Sequence, residues 1–365
     1  MNYELDFIGV NDDSAKCADA IGIRWENPDG LYTIGVYDGG FEKYGEALKN
    51  HINTYYSISG EKPVIDFVIC SHSDKDHVSG LKIILENFNV KKLYMNRPWL
   101  YASSLIDNAD DGRITVDSLV KRLKDNYSFI CELEEIAINN GTAIYEAFQG
   151  QIIEKHLIIL NPSKEFYIKK LIESSKTPLT EGKLFSIESI LHKSFDSVKK
   201  LFETWTNELL REYVITSPEN EQSVIIYGDM SSEKFLLTGD AGKEALINAM
   251  DYADMINTSI ADNVAVYQIP HHGGRHNVTP CLLNRLIGNI VPKETAVEKT
   301  AIVSAAKASD HPKKMVVNAF VRRGVSVFST KGSSLQHHKG LPLHEGWRVA
   351  SHLNFSSEVE TWKEV

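Results

Sequence analysis

The chain has 365 residues, 42% of them hydrophobic, and a formal net charge of −10. That length and apolar content suffice for a sizeable core, no run of eighteen apolar residues is present to cross a bilayer, and Cys17, Cys70, Cys131 and Cys281 are too few and too dispersed to staple a chain of this size. The acidic balance opposes unspecific adhesion to nucleic acid or anionic membrane, and the start MNYELDFIGVNDDSAKC lacks the basic head and apolar centre of a secretory signal, so a cytoplasmic protein without membrane contact is expected.

In chain order, LDFIGV, AIGIRWE, YTIGVYDGG and PVIDFVIC are short, rich in β-branched and aromatic residues and separated by turn formers, which predicts strands. VSGLKIILENF has helical spacing and KKLYMN returns to strand composition. From Ile114 to Ile138, apolar residues recur at three and four positions, predicting one or two amphipathic helices. EKHLIILNPS reads as a strand. The residues after Pro162 read as helical, with Leu191, Phe195, Val198, Phe202, Trp205 and Leu209 on one stripe: a core-facing helix by the plain reading, a cap or dimer contact by the sharper one. QSVIIYG, KFLLTGDAG, NVAVYQIPHHGG, KTAIVSAA and GVSVFST then alternate as strands with the helices GKEALINAM and PKKMVVNAFVRRG, the signature of an α/β architecture. WRVASHLNF reads as an edge strand.

Chemistry concentrates where strands end. FVICSHSDKDHVSG, residues 67–80, passes from an apolar run into His72, Asp74, Asp76 and His77 within six positions. Side chains two apart on an extended segment point the same way, so His72 and Asp74 converge on one point while Asp76 and His77, entering a helix, face another. Imidazole and carboxylate suit zinc, manganese or iron, and the lack of cysteine ligands argues for an open site over a closed structural one. Aspartate and histidine at a strand-to-helix turn also serve as ordinary caps. Two further strand ends with the same chemistry, Asp240 after KFLLTG and His271 and His272 after VYQIP, weigh against that plain reading.

Together HSDKDHVSG, LLTGDA, IPHHGG and the early YDGG resemble the signature set of the metallo-β-lactamase superfamily, in its usual order. Aspartate at the third position of the first motif, ENEQSVII and SAAKASDHPKK resemble more closely the hydrolase domain of the competence DNA-uptake channel ComEC, here without its membrane channel. The resemblance implies a four-layer αββα sandwich, read as a single domain over 1–365 with a helical insertion at about 165–215. It implies His72 and Asp74 as ligands of a first metal site, Asp76 and His77 of a second, Asp240 as the bridging carboxylate and His271 as the last ligand, with His272 able to exchange with it. One or two divalent ions, zinc or manganese, follow. Two departures stand out: the usual first motif has histidine where Asp74 stands, and PENEQSVII lacks a histidine commonly supplied there.

The expected reaction is hydrolysis of a phosphodiester in nucleic acid or a nucleotide by a metal-activated water, with Asp76 orienting that water or taking its proton. His311 is a candidate proton donor or phosphate ligand, and its plain reading is a capping or surface histidine. His272, Arg275 and His276 are candidates for meeting an anionic substrate, with a surface loop as the alternative. Lys313, Lys314, Arg322 and Arg323 form a local basic patch, read as a solvated face. His337, His338, His344 and His352 in the tail are read as structural, Cys70 as a core thiol, and Asp38 as a turn that supports the site from behind. The competing functions are a hydrolase of a lactone, thioester or small phosphoester, and a catalytically degenerate partner-binding module.

Overall fold

A computed structural model describes residues 1–58, 60–109, 114–179, 200–295 and 298–362. Two seven-stranded sheets carry the molecule. In spatial order the first runs Leu335–Lys339, Tyr3–Phe7, Ala20–Glu26, Tyr32–Gly39, Phe67–Ile69, Lys92–Tyr94 and Ala143–Tyr145. The second runs Val325–Ser329, Lys299–Val303, Val266–Gln268, Lys234–Leu237, Ile225–Asp229, Leu157–Asn161 and Ile152–Ile153. Each sheet pairs antiparallel over one half and parallel over the other.

The period-two alternation of the strands sorts their side chains into separate cores. Leu5, Phe7, Phe67 and Ile69 of the first sheet meet Ile226, Phe235, Leu237 and Ile302 of the second in a core between the sheets. The alternate residues face outward: Val36, Val68 and Leu93 pack under the helices Glu42–His51, Leu81–Asn87, Val116–Asn126 and Ser128–Asn140. Leu236, Tyr267, Ala301 and Val327 pack under Lys243–Met255, Pro280–Leu286 and Lys314–Val321. Three apolar interfaces between four layers make the expected αββα sandwich.

Among the described residues, no helix is long and apolar enough to cross a membrane. Within the 165–215 stretch, Lys164–Glu173 is helical, 180–199 lie outside the described residues, and Lys200–Phe202 is a strand paired antiparallel to Glu358–Glu360. Trp205 and Leu209 follow on an irregular segment, so the described part of the Leu191–Leu209 stripe is not helical. WRVASHLNF is not an edge strand either; Leu353 alone makes an isolated bridge, to Val327. The expected basic patch is divided. Lys314 is exposed, whereas Arg322 and Arg323 are buried: Arg322 donates to the Thr204 and Trp205 carbonyls, and Arg323 forms a two-pronged bond to Glu208 with both contacts at 3.0 Å. These guanidiniums fasten the irregular 203–208 segment onto Lys314–Val321, a use of charge that spacing cannot distinguish from solvation.

Glycine sets the approach of the first motif to the sheet. A Cβ on Gly80 would lie 2.0 Å from the Gly39 carbonyl oxygen, and one on Gly45 would lie 2.5 Å from the Gly80 carbonyl oxygen. The end of strand Tyr32–Gly39 and the helix Glu42–His51 therefore close on residue 80 backbone to backbone. Gly80→Ala should cost about 1–3 kcal/mol through overpacking. Urea denaturation against the wild type checks this, and an unchanged midpoint would contradict it.

Candidate metal centre

The parallel strands of both sheets deliver their C-terminal ends to one cleft, the place where α/β sheets gather ligand-type side chains. Phe67–Ile69 leads to His72, Lys234–Leu237 to Asp240, and Val266–Gln268 to His271 and His272. Asp38 ends Tyr32–Gly39, and Asp19 immediately precedes Ala20–Glu26.

Ligand-type atoms of Asp19, His77, Asp240 and His272, all buried, lie within 4.8 Å of one another. His272 reaches this group because His271, His272 and Gly273 are consecutive residues with positive φ (48°, 53° and 80°), a sharp reversal that aims the two adjacent imidazoles differently. His272 turns inward, whereas His271 is half-exposed with its Nε2 3.6 Å from Asp240 Oδ2. Asp240 is held by a turn whose Thr238 and Gly239 amides both donate to the Gln268 side chain.

Each imidazole is pinned through Nδ1. His77 donates to Asp38 at 2.8 Å, His272 to the Ser304 carbonyl at 3.0 Å, and His271 to Asn277 Oδ1 at 2.8 Å. Ser71 Oγ spends its proton on Asp38 and so accepts from His72 Nδ1 at 2.9 Å. Fixing the proton on Nδ1 leaves a lone pair on every Nε2. Those lone pairs face carboxylate oxygens: His77 Nε2 lies 3.1 Å from Asp240 Oδ1, and His272 Nε2 lies 3.4 Å from Asp76 Oδ2. His72 Nε2, His77 Nε2, His272 Nε2, Asp19 Oδ1 and Asp240 Oδ1 are buried with no hydrogen-bond partner. Lone pair against carboxylate is repulsive until a cation, either a proton or a metal ion, lies between them.

Without a metal ion, the electrostatics draw a proton into that place. Burial opposes the charged imidazole, yet Asp240 and Asp38 hold His77 well above its ordinary pKa, and Asp240 and Asp19 lift His272 to about 10. Burial pushes Asp19 up against the pull of His272 and His77. Asp240 is held well below the usual carboxylate range, because the imidazoles of His77, His271 and His272 overcome its burial. The cluster attracts positive charge strongly, and its nitrogen and oxygen donors suit a divalent ion such as zinc or manganese.

His72 and Asp74 stand to one side of this cluster. Asp74 occupies the cap position of the short helix Lys75–Val78, but its carboxylate caps nothing; Oδ2 lies 3.7 Å from His72 Nε2 and Oδ1 accepts from Lys176 Nζ at 2.6 Å. Lys176 and the His72 ring overcome its burial and hold Asp74 far below the carboxylate range. Where PENEQSVII passes the site, Ser223 approaches His72, with Oγ 3.4 Å from Nδ1. Asp76 is half-buried at the edge of the cluster, also held low because His272 and His77 outweigh its burial.

The remaining candidates lie further out. Burial and Lys313 push His311 down to about 3, and its Nδ1 lies 3.2 Å from Asp310. Arg275 donates to the Thr361 carbonyl and stacks on Trp362, which His276 meets edge-on, so both side chains engage the C-terminal segment. Cys70 is a core thiol that burial pushes far up. Asp38 supports the site from behind, as expected. Asp19 was missed, and its one signal is position: a lone aspartate directly before a strand.

No family model and no curated protein matches the chain. Among solved structures it is similar to a variant of the CmlA β-hydroxylase at 10% identity and a TM-score of 0.41, over 92% of this chain and 54% of that one. It is also similar to the metallo-β-lactamase SMB-1 bound to 2-mercaptoethanesulfonate at 7% identity and a TM-score of 0.32, over 74% and 82%. For a long form RNase Z from yeast, the values are 10% and 0.29, over 73% and 32%. The chain thus spans about half the length of the hydroxylase.

Asp38→Ala would strip the acceptor from His77 Nδ1 and from both the amide and the hydroxyl of Ser71. A loss of about 3–5 kcal/mol is expected for breaking this buried charged network. Chemical denaturation measures it, and a loss under about 1 kcal/mol would show that the carboxylate is not structural.

Proposed function

We propose that the protein is a metal-dependent hydrolase whose substrate is a phosphodiester of nucleic acid or a nucleotide. The observation that carries the metal is the set of buried Nε2 lone pairs facing carboxylate oxygens with no hydrogen-bond partner. His77, His272, Asp240 and Asp19 are the residues that would hold a divalent ion. When bound, such an ion lowers the pKa of a coordinated water and neutralises charge on the bond under attack.

The chain's own residues supply the rest. Asp76 is kept ionised and half-open at the cluster's edge, the condition for accepting a proton from an attacking water at its carboxylate. His271 at the mouth orients through Asn277. Lys176, ion-paired with Asp74, places an ammonium beside His72, on the side where the motif resemblance implies a first metal site. We read this as one ion at the deep cluster, with the lysine supplying the neighbouring positive charge. The choice of a phosphodiester rests on the likeness of HSDKDHVSG, LLTGDA and SDHPKK to the uptake-channel hydrolase, and the Lys176 ammonium suits an anion.

Zinc- or manganese-loaded protein should cleave single-stranded DNA, double-stranded DNA or bis(p-nitrophenyl) phosphate. Asp240→Ala should lower the rate at least about 100-fold, because even changes one shell out from a metal cost 10–100-fold. Elemental analysis of His77→Ala should show the loss of one ion equivalent. Unchanged cleavage in Asp240→Ala would sink the hydrolase reading. Cleavage of lactones, thioesters or phosphomonoesters alone would move the substrate, and no metal lost from His77→Ala would favour a partner-binding module.

A further inference from the structure

A second set of metal-ligand side chains lies on the outer face of the first sheet and shares no residue with the strand-end cluster. Asp6 projects from Tyr3–Phe7, whose Leu5 and Phe7 turn the other way into the inter-sheet core. His51 closes the helix Glu42–His51, and His344 comes from the segment that follows Leu335–Lys339. All three are buried, and each offers one ligand atom within 4.8 Å of the others.

The hydrogen-bond inventory around Asp6 is lopsided. His51 Nε2 at 2.9 Å, His344 Nε2 at 3.1 Å and the Tyr56 hydroxyl at 2.6 Å all crowd Oδ2. Oδ1 is equally buried and has no partner. Each carboxylate oxygen offers lone pairs, so Oδ1 keeps unused acceptor capacity. Two imidazole nitrogens and a carboxylate, besides hydrogen-bonding one another, are also the donor types of a zinc site. Charge points the same way: Glu4 and Asp6 are both fully buried, and Arg24, 2.7 Å from Glu4, offsets one of the two negative charges. Tyr55 stacks on His344 at 4.2 Å and accepts from the Trp347 indole at 3.0 Å, walling the group on its outer side.

We propose that Asp6, His51 and His344 bind a structural Zn2+ that fastens the segment around His344 and Trp347 to the first strand and the first helix. The proposal does not rest on the hydrolase reading. Binding requires each imidazole to carry its proton on Nδ1 and ligate through Nε2. Glu4 Oε2, 3.9 Å from His344 Nε2, is the nearest further donor. Walled by aromatic rings, the site suits a structural ion better than a catalytic one.

The test is zinc content by elemental analysis of dialysed protein. His344→Asn keeps an N–H to donate to Asp6 but removes the imidazole ligand. The wild type should hold one zinc equivalent more than H344N, while H344N retains the equivalent that His77→Ala removes and keeps any hydrolytic activity unchanged. Equal zinc in the wild type and H344N would overturn the proposal. Zinc-soaked wild-type crystals measured at the zinc absorption edge need no variant: a peak bounded by Asp6, His51 and His344 is expected, and no peak there overturns the site whatever is seen at His77.

Discussion

The arrangement depends on one electrostatic constraint. Asp19, Asp38 and Asp240 are buried beside His77 and His272, with Asp76 at the edge, and none of these carboxylates has a lysine or arginine partner within salt-bridge reach among the described residues. Carboxylates removed from water need opposite charge or strong hydrogen bonds. Asp38 finds them in Ser71 and His77, whereas Asp19 Oδ1 and Asp240 Oδ1 have no hydrogen-bond partner and their carboxylates face imidazoles. The fold therefore keeps a cation-demanding point at its centre.

The scaffold exists to hold that point still. Backbone-to-backbone packing at Gly39, Gly45 and Gly80 seats the first motif, Gln268 clamps the Asp240 turn, and consecutive positive-φ residues aim His271 and His272 apart. Each ligand comes from a different strand end, so no local rearrangement relaxes the cluster. Lys176, by contrast, arrives from the segment after Lys164–Glu173 and meets Asp74 at its margin, where a cation is reachable from solvent.

How much of this the sequence carried follows from what periodicity and motif can encode. Short apolar strands such as AIGIRWE and KFLL were legible because each is bounded by turn formers and buries one face against the opposite sheet and one against helices. The two helices within Ile114–Ile138 were legible for the matching reason. His72, His77 and Asp240 were readable because strand-end motifs are contiguous. The inward turn of His272 was not, because which of two adjacent histidines faces the cluster is decided by three backbone dihedrals. Asp19 had no motif, and Arg322 and Arg323 look like surface charge until Glu208 and the Thr204 carbonyl are brought beside them from far along the chain. WRVASHLNF alternates like a strand yet finds no edge to pair with beyond Leu353.

The central claim is that the buried cluster, with His272 as its inward imidazole, is a cation site. Its most direct measurement is titration of chelator-stripped protein with Mn2+, followed by calorimetry, for the wild type, His272→Ala and His271→Ala. The account predicts that His272→Ala weakens Mn2+ binding by at least about 100-fold while His271→Ala weakens it by about tenfold or less. Equal, strong binding in the wild type and His272→Ala would contradict it.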